Sequence, residues 1–253
     1  MKLFLSESTY FETNKPLDIS IPLVAGDENL RAWYVDPPRM EPVKANGFNG
    51  SVKDGGSVNF RNIFFNPHGH GTHTECLGHI TEEVYSVNQV LKTFVCIAQL
   101  ITIEPSVFFN EEFSEEDELI TLDQLEKIRW EKGIEALVIR TLPNNIRKKQ
   151  KDYSSSNPPY LSIECLEIIN KIGIKHLLID LPSVDRESDE GKLIFHHGYW
   201  GIPDMPNHER TITELIYVDN SIIDGLYILD LQMAAFENDA SPSRPVLYKM
   251  EMV

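Results

Sequence analysis

Four of the chain's eight histidines fall in a single run, His68-Gly-His-Gly-Thr-His-Thr-Glu-Cys-Leu-Gly-His79. No other feature restricts the fold as much. Imidazoles crowded this closely around a glutamate either hang in solvent on a loop or gather round a cation, because His and Glu are ligands a transition metal takes. We read a metal site. Side chains of extended backbone alternate faces, so His73 and Glu75 share one. Gly69, Gly71 and Gly78 let the main chain turn sharply and come close to an ion or substrate. The same glycines argue against a helix through 68–72, and hence against the helical HExxH zinc motif. His176, at a strand start, and His208, in a polar loop, are assigned no role.

A second pointer is Glu214. Thr211-Ile-Thr-Glu-Leu-Ile-Tyr-Val218 alternates like a strand, which puts Glu214 on one face with Ile212, Ile216 and Val218. A carboxylate on a buried face costs several kcal/mol unless it is paired or ligates a metal. The other possibility is a strand-edge glutamate that reaches water.

The rest of the chain reads as α/β. Leu17–Val24 suggests an edge strand with Pro22 at its end, Val58–Phe65 a strand feeding the histidine run, and Lys92–Ile103 one buried strand. Thr121-Leu-Asp-Gln124 is a capping-box pattern that opens a helix to about Glu131, followed by a strand over Glu135–Thr141. Residues 144–159 are polar and carry prolines, so they read as a loop. Ser162 is a good N-cap for a helix closed by Gly173, and His176–Asp180 is the next strand. Helix followed by strand, twice over, is the α/β signature. Residues 211–218 and 225–231 read as paired strands, and 240–248 as a loop and a last strand. No linker interrupts 1–253, so one domain is expected.

Composition excludes several classes. The formal net charge of −16 leaves little affinity for nucleic acid or anionic membranes. The acidic run Asn110–Glu118 reads as a solvated loop. Cys76, Cys96 and Cys165 are odd in number and far apart, which argues against a disulfide framework and for a reducing, cytoplasmic setting. The first residues hold too short an apolar run for a signal peptide, and no run is long enough to span a bilayer.

Gly71-Thr-His-Thr-Glu-Cys-Leu-Gly-His79 resembles the histidine run of the cyclase family of metal hydrolases, which includes bacterial kynurenine formamidase. The similarity continues through Asp180-Leu-Pro-Ser-Val-Asp185, the pair His196-His197, Thr213-Glu-Leu215 and the tail Asp239–Val246, with a weaker echo at Trp33-Tyr-Val-Asp36. The resemblance implies a swivelling β/β/α fold, a mixed β-sheet with flanking helices. It also implies a binuclear zinc or manganese site, a small-molecule substrate and a homodimer or homotetramer.

Carried over residue by residue, it implies metal ligands His68, His73, Glu75, His79, His196 and Glu214. One ion would take the first histidine, His73 and Glu75. The other would take His79, His196 and Glu214, with Glu75 bridging. The family's first ligand stands four residues before His73, where this chain has Gly69. His68 and His70 flank that position, and His68 is taken because it follows Pro67. Glu75 stands where the family has Asp, and the spacing from His196 to Glu214 is longer.

Catalytic work would then fall to His79 and Glu214, with His197 or His70 carrying a proton. The expected reaction is hydrolysis of an amide, such as an aryl formamide like N-formylkynurenine, or of a cyclic amide or ester. Trp33, Phe64, Phe65 and Trp200 are candidates for an aromatic wall, though ordinary core packing is the favoured account of them. Two rivals stand beside this reading. One is a binding protein that kept the scaffold without catalysis. The other is a hydrolase with Cys76 as nucleophile.

Overall fold

The computed structural model describes residues 1–253. Its centre is a mixed sheet that closes on itself. The strands are β1 (Leu17–Asp18), β2 (His73–Glu75), β3 (Val95–Ile103), β4 (Ala136–Thr141), β5 (His176–Ile179), β6 (Thr211–Glu214), β7 (Gly225–Met233) and β8 (Ala240–Lys249). Hydrogen bonding runs β7-β3-β4-β5-β6-β2-β8, and β8 returns to β7. Seven strands therefore form a closed barrel, with β1 on the flank of β8. The consecutive pairs from β3 to β6 are parallel and the others antiparallel.

Parallel neighbours need crossovers. Three helices lie in them: α2 (Leu122–Glu126), α3 (Cys165–Ile172) and α4 (Ile194–Trp200), while α1 (Pro67–His70) is a single turn before β2. Ala136, Leu137, Val138 and Ile139 are all fully buried, which is why that strand reads as an unbroken apolar run. Leu137 and Ile139 join a core of 23 residues that includes Leu125, Leu166, Ile169, Phe195 and Trp200 from the helices. Ala136 and Val138 join a second core, with Ala98, Leu100, Leu229 and Leu247 from other strands of the barrel. Each fully buried Leu or Ile contributes about 2 kcal/mol, so the helix-side core holds the crossovers against the sheet.

Local signals hold in part. Gln124 accepts the Thr121 N–H at 3.0 Å, the reciprocal bond of a capping box. The helix stops at Glu126, short of the expected Glu131, where the Trp130 indole donates to the Leu125 carbonyl. Gly173 closes α3 in the left-handed conformation. Ser162 opens the turn into α3 through its carbonyl, which accepts from Cys165, rather than through its side chain.

Several expectations are corrected. Residues 211–218 and 225–231 are not partners: β6 lies between β5 and β2, and β7 between β3 and β8. The first strand ends at Glu214, and Leu215 adopts φ 55°, which breaks the alternation. Ile212 consequently belongs to the helix-side core, whereas Ile216 and Val218 belong to the second. Glu214 thus loses the shared face argued for it, though it is buried all the same. The first edge strand shrinks to Leu17–Asp18, because beyond it the Ile21 N–H turns away to the Thr72 hydroxyl. Of Val58–Phe65, only Arg61–Phe64 is strand, paired with Arg39–Pro42.

The tail is strand from Ala240 onward, despite Pro242 and Pro245. The acidic run is not a solvated loop. It spans a hairpin of Ser106–Asn110 with Glu115–Ile120, and its Asp117 is buried against Arg186. No helix is long and apolar enough to cross a membrane.

Candidate metal centre

The centre is assembled where β2 passes between β6 and β8. Register sets Glu214 opposite His73 and Ile212 opposite Glu75 across one pair, with Pro242 and Ala240 opposite the same two residues across the other. His73 and Glu75 share a face, as their spacing predicts, and both are completely buried. A 3-10 turn over Leu77–His79 then swings His79 back toward Glu75. Gly78 permits that turn: a β-carbon there would lie 2.2 Å from the Tyr85 carbonyl oxygen. On the other side, α1 presents His68. This is a correction, since the glycines do not prevent a helical turn through His70. Asn66 caps it by accepting from Gly69, and Pro67 occupies its first position.

Glu75 lies at the middle. Its Oε2 is 3.1 Å from His68 Nδ1, 3.9 Å from His73 Nε2 and 3.9 Å from His79 Nε2. Its Oε1 is 3.1 Å from His196 Nε2. Glu214 Oε2 is 3.4 Å from His73 Nε2, and Oε1 is 3.9 Å from His196 Nε2. All six residues inferred as ligands therefore converge. Their grouping differs from the expected one. The donor atoms that come within reach of a single ion are those of His68, Glu75 and His79, and those of His73, Glu75 and Glu214. Glu75 stays common to both groups, His73 and His79 change places, and His196 belongs to neither group.

Hydrogen bonds fix which ring nitrogens are free. His73 Nδ1 donates to the Gly71 carbonyl at 3.0 Å, so Nε2 carries a lone pair. His196 Nδ1 donates to Asp185 Oδ2 at 2.6 Å, which aims Nε2 at Glu75. Asp239 Oδ2 lies 2.8 Å from His68 Nε2 and 3.3 Å from His79 Nδ1, leaving the other nitrogen of each ring toward Glu75. The result is a buried concentration of acceptors. His73 Nε2 and Glu75 Oε2 are both out of solvent with no hydrogen-bond partner in the protein. Such atoms cost free energy unless a proton or a cation lies between them. The residues present fit a divalent cation.

Electrostatics follow the same geometry. Burial raises the Glu75 pKa, but the His79 charge, the bond from His196 and the His68 ring 3.1 Å away outweigh it and hold the carboxyl well below the usual range. For Glu214, burial and the neighbouring Glu75 charge push the pKa up. Burial works against protonation of His68 and His196, yet the carboxylates bonded to each carry both up to about 10.

His70 stands apart from the cluster. Its Nδ1 accepts from the Asn66 N–H and its Nε2 donates to the Asp36 carbonyl, both at 2.8 Å, so neither nitrogen is available to an ion or a substrate proton. Of the two flanking candidates, His68 is the one directed at Glu75. His197 does not reach the cluster either. Successive residues of a helix point about 100° apart, and His197 is absent from the lining of the cavity above the centre. Neither ring is placed to carry a proton for the site. His176 is buried against the Thr211 hydroxyl and His208 packs on Tyr85, both away from the cluster. Cys76 is buried, its thiol donates to the Tyr85 carbonyl, and burial pushes its pKa up to about 12, which removes it as a nucleophile.

The cavity above the centre measures about 360 Å³ and is lined in part by Trp33, Val35, Ser183, Arg186 and Leu193. Of the aromatic candidates, only Trp33 lines it. Trp200 is core, supporting the His196 ring at 5.3 Å, Phe64 lies half exposed on the ribbon, and Phe65 packs near Phe236. Sequence reasoning gave no role to Asp239 and Asp185. Both lay inside segments singled out by resemblance, but nothing local marks a carboxylate as the orienting partner of a distant imidazole.

A family model described as "Putative cyclase" matches residues 17–186. The kynurenine formamidase of Bacillus thuringiensis (strain Al Hakam) is 27% identical over 238 residues, covering 93% of this chain and 98% of that one. The kynurenine formamidase of Bacillus cytotoxicus is 26% identical over 233 residues, covering 91% and 96%. Among solved structures, isatin hydrolase A from Ralstonia solanacearum superposes with a TM-score of 0.66 at 17% identity, covering 92% of this chain and 91% of that one. A potential metal-dependent hydrolase with cyclase activity gives 0.64 at 14% identity, covering 92% and 97%. At those identities the structural likeness establishes the fold.

Proposed function

The chain belongs to the putative cyclase family, and from that premise we propose that it is a metal-dependent hydrolase that cleaves an amide C–N bond. One observation carries the proposal. Four imidazoles and two carboxylates from the histidine run, α4 and β6 converge, and His73 Nε2 and Glu75 Oε2 are buried without a hydrogen bond from the protein. The names of the relatives, kynurenine formamidase and isatin hydrolase, support an amide as substrate.

His68, His79 and Glu75 would hold one zinc or manganese ion, and His73, Glu214 and Glu75 a second, with His196 beside the shared carboxylate. Bound there, the pair would supply Lewis acidity and a water of lowered pKa. The protein does the rest. Glu214, fixed by the Val184 N–H at 3.2 Å and lining the cavity, is placed to take the proton of the attacking water and return it to the leaving nitrogen. Asp185 and Asp239 keep His196, His68 and His79 in single orientations, so nothing must reorganise as charge develops. Trp33, Val35 and Leu193 offer an apolar wall to an aryl group. We infer an aryl formamide such as N-formylkynurenine, or a cyclic amide, as the substrate.

The test pairs metal analysis with turnover on a panel of aryl formamides, lactams and lactones. At least one amide should be hydrolysed, the activity should vanish with chelator, and zinc or manganese should restore it. Stoichiometric metal with no turnover on the whole panel would mean a binding protein on this scaffold and would refute the proposal.

A further inference from the structure

A larger cavity, about 720 Å³, opens beside the ends of β4 and β5, and none of its lining residues belongs to the cavity above the metal centre. Its charge is unlike that of the rest of the molecule. The chain carries a formal −16, yet Ile-Arg-Lys-Lys-Gln-Lys151 brings Arg147, Lys148 and Lys151 to this rim, with Glu118 the one acid lining it. Lys148 is spent: its ammonium donates to Asp180 and to the Thr141 carbonyl and hydroxyl, each at 2.8 Å. Arg147 and Lys151 have no carboxylate within salt-bridge distance. Lys151 lies over the Tyr153 ring at 4.6 Å, where burial and the Lys148 charge push its pKa down. Cations left uncompensated in this way stabilise an incoming anion.

A second observation points to a ligand. Tyr153 lines the cavity, is 3% exposed, and its hydroxyl is buried with no hydrogen-bond partner in the protein. Buried tyrosine hydroxyls normally find partners. Leu142, Pro143, Pro159 and Leu181 supply apolar wall around these polar groups. The volume is that of a small-molecule site, and the mixture of an apolar body with a few polar anchors is what such sites use.

We propose that this cavity is a second binding site, separate from the metal centre, for a small organic carboxylate with an apolar body. Arg147 and Lys151 hold the carboxylate, Arg147 with the planar fork suited to two oxygens. The Tyr153 hydroxyl donates to the ligand, and the aliphatic wall covers the body.

Isothermal titration of the metal-replete protein with benzoate and with inorganic phosphate, at fixed ionic strength, tests this. Benzoate should saturate one site and bind about tenfold or more tighter than phosphate, because the wall contributes only to the organic ion. R147Q/K151Q should weaken benzoate by about tenfold or more, with metal content and amide hydrolysis unchanged. Tyr153→Phe should weaken it several-fold while raising the melting temperature, since it deletes a buried hydroxyl that lacks a protein partner. Benzoate that binds R147Q/K151Q as tightly as the parent, phosphate that binds as well as benzoate, or no saturable benzoate site would each overturn the proposal.

Discussion

His73 divides the work between its two nitrogens: Nδ1 is spent on the Gly71 carbonyl and Nε2 points into the cluster without a partner. His73→Ala should therefore strip the metal and abolish hydrolysis, read by metal stoichiometry and turnover on the same sample. His70→Asn should behave in the opposite way, since both His70 nitrogens serve the main chain. Metal should stay bound, and stability should fall by about 1–2 kcal/mol for the lost bond to Asp36, measured by urea denaturation. Asp239→Asn should lower metal affinity by about 10- to 100-fold, because one oxygen orients two ligand rings. Competition with a chelator measures it, and an unchanged affinity would show that the two imidazoles hold their positions unaided. At this scale the sequence was informative where chemistry was local. The histidine run carried His68, His73, Glu75 and His79, but Asp185 and Asp239 act on imidazoles 11 and 171 residues away and had no local signature.

Elements decide which of those side chains meet. His196 and His197 are neighbours in sequence, yet helical phase gives the first to the centre and leaves the second off it. Likewise, two adjacent alternating segments suggested a hairpin, but the left-handed Leu215 ends β6 and sends the chain across the barrel before β7. A backbone reversal at a leucine is invisible to hydrophobic patterning. Gly78→Ala should displace the 3-10 turn carrying His79, lowering both stability and metal content, because the new methyl would meet main chain rather than a mobile side chain.

The strand β5 also carries a pH-dependent contribution. Burial pushes the His176 pKa down to about 4, below its unfolded value near 6.5. The unfolded chain then binds the extra proton between those limits. Stability from this group is full above pH 6.5 and is lost as the pH falls toward 4, by about 3 kcal/mol in all. Denaturation at pH 7 and pH 5 should show a steeper loss in the parent than in His176→Gln, and equal slopes would contradict it.

For the whole molecule, barrel closure makes the centre. β8 bonds to β2 on one side and β7 on the other, so the last strand fixes the segment carrying His73 and Glu75 and joins it to the rest of the sheet. The α/β class, the buried central strands and two of the three crossover helices were legible, because continuous apolar runs and helical spacing are local records of burial. Closure was not, since pairings between residues 75 and 240 leave no periodic trace. The central claim is that imidazoles of the histidine run share cations with Glu75 and Glu214, Glu75 being common to both groups. Anomalous diffraction at the metal absorption edge, from crystals of metal-replete protein, tests it most directly. The account predicts a peak within bonding distance of Glu75 and His73 Nε2, with Glu214 on the same ion. An empty cluster, or a peak held by other residues, would contradict it.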